Sequence, residues 1–275
     1  MGDKAWGCPH TESLHGIRLI VDMSTPPSCL VLHGYGGAPF DVSFLVQALH
    51  EEGLTVRSPC LPGHGQDHTV FARSRFSHWL EAADTHLTDM LAQGPCMLIG
   101  LSMGGSLALS LAQRRNVAGV VTIAAPVFLY TLIPWSGASR LLPLVPWLRF
   151  IRPVVPVPLT SEHARRIAPH GGYEGFQPLH TLHSFINGLR PIKAGLAHIT
   201  APICVLHSPQ DQTVPVANAW HILRSVSSRV RELELLPITE QVTNRHLLTT
   251  HVETRDLVQD AVLRFLHRPE VGCVR

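Results

Sequence analysis

Short apolar runs alternate with amphipathic stretches along the first half of the chain. Leu30-Val31-Leu32 is a β-rich run. Leu45, Ala48 and Leu49 then share one face of a helical stretch that Asp41 can cap and Gly53 can close. Leu54-Thr55-Val56-Arg57 predicts a second strand, and Ser77 can cap a helix striped by Leu80, Ala83, Leu87, Met90 and Leu91. Cys96-Met97-Leu98-Ile99, a helical run over 105–112 and Val120-Val121-Thr122-Ile123-Ala124 continue the alternation. These strands are apolar throughout, which is how strands of a parallel sheet covered on both faces read.

After Pro126 the pattern breaks. Over 127–196 prolines recur at 134, 143, 146, 153, 156, 158, 169, 178 and 191, too often for one long helix. Bulky apolar residues cluster among them, including Phe128, Leu141, Leu142, Leu144, Leu148, Phe150 and Ile151. The alternation resumes with Ile203-Cys204-Val205-Leu206, a helix around 217–226 and a half-exposed strand, Arg231-Glu232-Leu233-Glu234-Leu235. A last helix is striped by Leu257, Val258, Ala261, Val262, Phe265 and Leu266. The expected organisation is a core of 1–126 and 197–275 with an insertion, 127–196, of short kinked helices over the strand ends, where open α/β sheets bind ligands. The insertion is expected to turn its apolar side chains away from water and line a pocket, with Trp135 and Trp147 as candidate wall residues.

Composition narrows the classes. A chain of 275 residues has room for one α/β domain with an insertion. A net charge of +2 without a dense Lys/Arg run argues against a nucleic-acid partner. The most apolar stretch, 141–159, holds Arg149, Arg152 and several prolines, so it does not read as a membrane span, which needs about 20 apolar residues. Asp3 and Lys4 in an N-terminus without an apolar core argue against a secretory signal, and Trp6 against myristoylation. Cys29, Cys96 and Cys204 lie in or beside strand-like runs and read as small buried hydrophobes of a reducing compartment, with a cytoplasmic location expected. His64 and His68 have helical spacing, but Pro62-Gly63-His64-Gly65 marks a loop, so no metal site is expected.

The candidate chemistry sits at Gly100-Leu101-Ser102-Met103-Gly104. A G-x-S-x-G between a strand and a helix is a sharp turn that exposes its serine, and the glycines leave room for it. A serine hydroxyl attacks well only if a base takes its proton, and a carboxylate holds that base in the right tautomer. On such a fold the acid follows a strand beyond the nucleophile and the histidine comes last. Asp211 occupies the turn-rich loop after 203–206. His246 precedes the last helix, with His251 as its rival. An oxyanion would be met by the backbone N–H of Met103 and by one from His33-Gly34-Tyr35-Gly36-Gly37, with Tyr35 as the donor.

Taken together, Leu32-His33-Gly34-Tyr35-Gly36-Gly37, Pro62-Gly63-His64-Gly65, Trp79, Gly100-Leu101-Ser102-Met103-Gly104-Gly105, Ala125-Pro126, Asp211 and His246-Leu247-Leu248-Thr249 resemble the α/β-hydrolases of the microbial carboxylesterase and monoacylglycerol lipase type. The resemblance implies an eight-stranded, mostly parallel, doubly wound sheet with a small helical cap. It also implies Ser102, Asp211 and His246 as a triad, with Tyr35 and Met103 at the oxyanion, and it favours His246 over His251. At one position the chain departs: those esterases carry glycine before the histidine, and here Arg245 stands there. The expected activity is cofactor-free hydrolysis of a small ester with an apolar acyl group, or thioester hydrolysis or acyl transfer with the same residues. A non-catalytic ligand-binding relative is the less favoured class, and stable membrane insertion is not expected.

Overall fold

The computed structural model describes residues 26–132 and 135–271, without the side chains of residues 135 and 136. The readings made on Asp3, Lys4, Trp6 and the Trp135 side chain lie outside the described residues. Strand β1 (Ser28–Leu32) leads through a short 3-10 turn into helix α1 (Ser43–Glu51). Asp41 lies in that turn and its carboxylate accepts the Ala38 N–H at 3.0 Å, so it caps the turn and not α1. Gly53 closes α1 as expected, at φ 80 with its N–H on His50 O. Strand β2 (Val56–Arg57), helix α2 (His68–Arg73) and helix α3 (Phe76–Leu91) follow. The α3 helix begins one residue ahead of Ser77, with Arg75 at the cap position, so Ser77 is helical.

Strand β3 (Cys96–Leu101), helix α4 (Met103–Ala112) and strand β4 (Gly119–Ile123) complete the first half. The insertion then forms a small hairpin of β5 (Tyr130–Leu132) with β6 (Trp135–Gly137), helix α5 (Val145–Ile151), strand β7 (Val154–Pro156), helix α6 (Glu162–Ile167), strand β8 (Phe176–Pro178) paired to β7, and helix α7 (Leu179–Gly195). The expectation of short helices alone is thus corrected by two antiparallel strand pairs, which give the proline-flanked extended segments a ladder partner. Strand β9 (Ile203–His207), helix α8 (Ala217–Ser225), strand β10 (Arg231–Leu235) and helix α9 (Arg255–Leu266) follow.

The main sheet has the order β10-β9-β4-β3-β1-β2, and every pairing in it is parallel. Six of the eight strands implied by the resemblance are therefore present among the described residues. Register explains why the strands read as apolar throughout. Leu30, Leu98, Val120 and Ile203 align across the sheet on one face and join the core cluster of α3, α4 and α7. Val31, Ile99, Val121 and Cys204 align on the other face, with α1 and α9. Both faces are covered, so neither parity of the strand period meets water. The chain steps from β1 outward to β2 and then back across to β3. The reversal puts a crevice between the ends of β1 and β3, where this class of sheet binds ligands.

Candidate active site

Ser102 stands at that crevice, between the last residue of β3 and the first of α4, with φ 52 and ψ −119. The left-handed backbone of a non-glycine residue costs on the order of 1–2 kcal/mol. It is held by the Ser102 N–H donating to Ile123 O at 2.7 Å and by the Ser106 N–H on Ser102 O. The flanking glycines serve close approach and not φ. A Cβ on Gly104 would lie 2.1 Å from Leu32 O, and one on Gly100 would lie 2.2 Å from the Gly104 carbonyl carbon.

The residues the sequence nominated converge there. His246 Nε2 lies 2.8 Å from Ser102 Oγ, and His246 Nδ1 lies 2.7 Å from Asp211 Oδ2. With the ring proton on Nδ1, facing the carboxylate, Nε2 presents its lone pair to the serine hydroxyl. The Asp211 side chain is fully buried, and its other oxygen accepts the N–H groups of Thr213 and Val214 at 2.7 and 2.9 Å. His251 is elsewhere. It is fully buried, donates from Nε2 to Glu240 Oε1 at 3.1 Å and accepts the Glu253 N–H on Nδ1. His207, which the sequence reading passed over, ends β9 with Nε2 3.0 Å from Val214 O and 3.5 Å from Asp211 Oδ2. Burial lowers its pKa, which keeps it neutral beside the acid. Its position directly before the Asp211 loop was the only sign of this in the sequence.

The loop after β1 flanks the serine. A Cβ on Gly34 would lie 3.4 Å from Ser102 Cβ and 3.9 Å from Ser102 Oγ. Gly34 O accepts His33 Nδ1–H at 2.9 Å and the Gly37 N–H at 3.2 Å. Gly34 O and the Tyr35 N–H belong to one planar trans peptide, so tying down the first aims the second the opposite way. The other residue proposed at the oxyanion, Met103, is the first of α4, where an N–H has no acceptor within its own helix. His33 Nε2 accepts the Leu61 N–H, and His64 Nε2 accepts the Gly36 N–H, both at 3.1 Å. Burial, together with His33 nearby, pushes the His64 pKa down to about 3, so it acts as a neutral acceptor. The Tyr35 ring stacks on Phe185 and meets Phe71 and Trp79 edge-on.

Arg245 has φ 57, the left-handed region. That conformation gives a physical reason for glycine at this position in the esterases this chain resembles. Its Nε is buried with no hydrogen-bond partner among the described residues.

The insertion departs from expectation. Trp147, Phe150 and Ile151 are 72%, 70% and 78% exposed, and Leu141 and Leu144 are also open to water. The expectation that these side chains are turned away from water is corrected. The seven-residue α5 buries only Val145, and it is too short to turn a second face inward. Ser102 itself is only 9% exposed. A separate open groove of about 630 Å³ runs along α1 past Phe40, Val46 and His50 and includes none of Ser102, Asp211 or His246. No helix among the described residues is long and apolar enough to cross a membrane.

With this geometry in place, residues 25–239 match the Hydrolase_4 family, described as serine aminopeptidase, S33. The chain is 28% identical over 210 residues to the thermostable monoacylglycerol lipase of Bacillus sp. (strain H-257), covering 76% of this chain and 80% of that one. It is 22% identical over 242 residues to a carboxylesterase of Bacillus subtilis (strain 168), covering 87% and 92%. A solved structure from work on LipS and LipT, two metagenome-derived lipolytic enzymes, superposes with a TM-score of 0.74 at 23% identity, covering 88% of this chain and 94% of that one. The fold is the α/β-hydrolase fold.

Proposed function

The chain belongs to the serine aminopeptidase S33 family of hydrolases, and from that premise we propose that it is a serine esterase acting on small esters with an apolar acyl group. The observation that carries this reading is the unbroken relay Ser102 Oγ, His246, Asp211, with links of 2.8 and 2.7 Å. Ser102 Oγ attacks the ester carbonyl carbon while its proton passes to His246 Nε2. The carbonyl oxygen becomes an oxyanion facing the N–H groups of Tyr35 and Met103. Collapse breaks the bond to the alcohol, which leaves with the proton from Nε2, and the acyl group stays on Ser102. Water then repeats the sequence and frees the acid. No step calls for a metal or cofactor.

Esters are favoured over peptides by the names of the relatives, a lipase and a carboxylesterase, and by the apolar character of the insertion. Residues 127–196 are read as a cap over a core of 1–126 and 197–275, although α7 buries Phe185, Leu189 and Ile192 in the same cluster as α3 and α4. Each methylene of an acyl chain buried beneath the cap would contribute about 0.8 kcal/mol. A second reading, action at a lipid surface, is favoured by exposed Trp147, Phe150 and Ile151 beside Arg149 and Arg152.

One panel tests these readings. A fluorophosphonate should label Ser102 alone, and Ser102→Ala should abolish hydrolysis. Rates are then compared on p-nitrophenyl esters of rising chain length, emulsified monoacylglycerol, acyl-CoA thioesters and amino-acid p-nitroanilides. Turnover of p-nitroanilides above esters would replace the esterase by an aminopeptidase, and a label on another serine would remove Ser102 from its role. A rate that rises only with emulsified substrate, and falls in Trp147→Ala, would select the surface-acting form.

A further inference from the structure

The loop that carries Tyr35 is held by His33 and His64 and also by the insertion. Tyr173 donates its N–H to Gly36 O at 2.7 Å. Its hydroxyl lies 2.7 Å from both Gly63 O and Gln66 O and accepts the Gln66 N–H. Gln177 Nε2 donates to the Tyr35 hydroxyl at 2.7 Å. Asp41 joins the two segments more firmly. Its side chain is 1% exposed, and one carboxylate oxygen accepts the Gly171 N–H at 2.8 Å and His170 Nδ1–H at 3.1 Å. The other oxygen accepts the Ala38 N–H, inside the loop itself. The backbone carbonyl of Asp41 accepts the hydroxyl of Thr249, in the segment that begins at His246. Asp41 therefore touches the Tyr35 loop, the insertion and the histidine segment at once. Burial alone would raise its carboxyl, but the donors from His170, Gly171 and Ala38 outweigh it and hold the pKa below its ordinary value.

We propose that residues 170–177 of the insertion, fastened through Asp41, are a positioning clamp that sets the oxyanion hole, so that this edge of the cap belongs to the catalytic machinery and does not lift as a lid. The inference rests on the esterase reading and on the Tyr35 N–H as an oxyanion donor. The fit leaves no slack. A Cβ on Gly172 would lie 2.1 Å from Gly36 O, 2.6 Å from Gly37 Cα and 2.5 Å from His170 Nε2, so the clamp lies directly against the loop backbone. Two of the three groups struck are loop backbone and the third is the ring that holds Asp41, so a side chain at 172 disturbs the contact between the clamp and the loop. Of the insertion's exposed apolar residues, Trp147, Phe150 and Ile151 lie on α5, outside the clamp, whereas Val154 lies on β7, which pairs with β8 at the end of the clamp.

The test uses the full chain with p-nitrophenyl butyrate and with butylboronic acid, whose tetrahedral adduct on the serine places a negative oxygen in the hole. His170→Ala is expected to lower kcat about tenfold and to weaken the boronic acid by a similar factor, with KM within about twofold. His170→Gln, which keeps a donor for Asp41, is expected to recover most of the loss. Gly172→Ala is expected to lower kcat about 100-fold, the scale of a 1 Å misplacement. Should Gly172→Ala fail to fold, the two His170 variants decide. Wild-type kcat in His170→Ala, or a fall in kcat that leaves boronic acid affinity untouched, would overturn the clamp. An inactive wild-type chain would overturn the esterase reading and the clamp with it, whereas an active wild type with unaffected variants overturns the clamp alone.

Discussion

Replacing Arg245 by glycine should stabilise the protein, although it removes a large side chain next to a residue of the candidate triad. At φ 57 the arginine backbone is in the left-handed region, which costs a non-glycine residue roughly 1–2 kcal/mol. Glycine enters that region freely but adds about 0.5–1 kcal/mol of chain entropy to the unfolded state. The difference leaves a net gain of about 0.5–1 kcal/mol. Releasing the unpartnered Nε from its buried site adds to the gain, and losing the packing of the arginine stem subtracts from it. For a domain of this size 1 kcal/mol corresponds to about 2–4 °C in Tm, so Arg245→Gly should melt about 2 °C above wild type by calorimetry. Arg245→Ala is the control. It removes the same side chain but keeps the strain, and it should melt no higher than wild type. If alanine matched glycine, the gain would belong to the side chain and the backbone argument would be wrong. If glycine lowered Tm, the arginine would be making contacts that outweigh its strain. The hydrogen bonds of His246 to Ser102 and Asp211 do not involve Arg245, so kcat on a neutral ester should stay within about threefold.

Two further outcomes concern the neighbouring segment. His251→Ala removes a fully buried ring and its bonds to Glu240 and Glu253, so it should cost about 2–4 kcal/mol of stability while lowering kcat less than tenfold; His246→Ala should lower kcat by at least about 1000-fold, and the reverse ranking in a steady-state assay would remove His246 as the base. Glu240 is raised by burial but lowered further by hydrogen bonds from Thr243, Val242 and His251, to about 2 from an ordinary 4.5. Its folded pKa lies below the unfolded one, so its contribution is full above about pH 4.5 and is lost as pH falls toward 2. Glu240→Gln should therefore lower Tm more at pH 7 than at pH 3, and an equal offset at both would refute the assignment.

The core and the relay were legible because each leaves a local mark. The strands showed as apolar runs since both sheet faces are covered, and Ser102 showed because a strand, a small-residue turn and a helix stand in sequence. Chain order nominated Asp211 and left His246 and His251 open, since each lies on a loop near elements that the period could predict, and the family resemblance favoured His246. What was missed acts at long range. His170 bonds Asp41 across 129 positions of chain and Tyr173 reaches Gln66 across 107, and no window of sequence holds both partners. His64 carried a local motif, yet its role as acceptor for the Gly36 N–H depends on two loops meeting. Helix starts slipped by a residue or two because Asp41 and Ser77 were assigned caps by type, while Asp41 is taken up by the preceding turn and Ser77 lies inside its helix.

The insertion was illegible for a different reason. Burial is read from periodicity, and prolines break the period before a stripe can form. Apolar content alone says that Trp147, Phe150 and Ile151 prefer to leave water; it does not say that the fold provides a place for them. Each short piece has one contact face: α5 buries Val145, and α6 buries Ala164. The longer α7 keeps a stripe of Leu179, Phe185, Leu189 and Ile192 and joins the core. The same segment is therefore tied to the Tyr35 loop at 170–177, and on α5 it leaves Trp147 and Ile151 open to water, with Phe150 meeting the His180 ring and the Arg149 guanidinium. On the proposed reading, a cap built this way fixes the Tyr35 loop with one edge and offers the other to substrate or to a surface. That division follows from the placement of prolines and of the buried Asp41 carboxylate more than from the total of apolar residues.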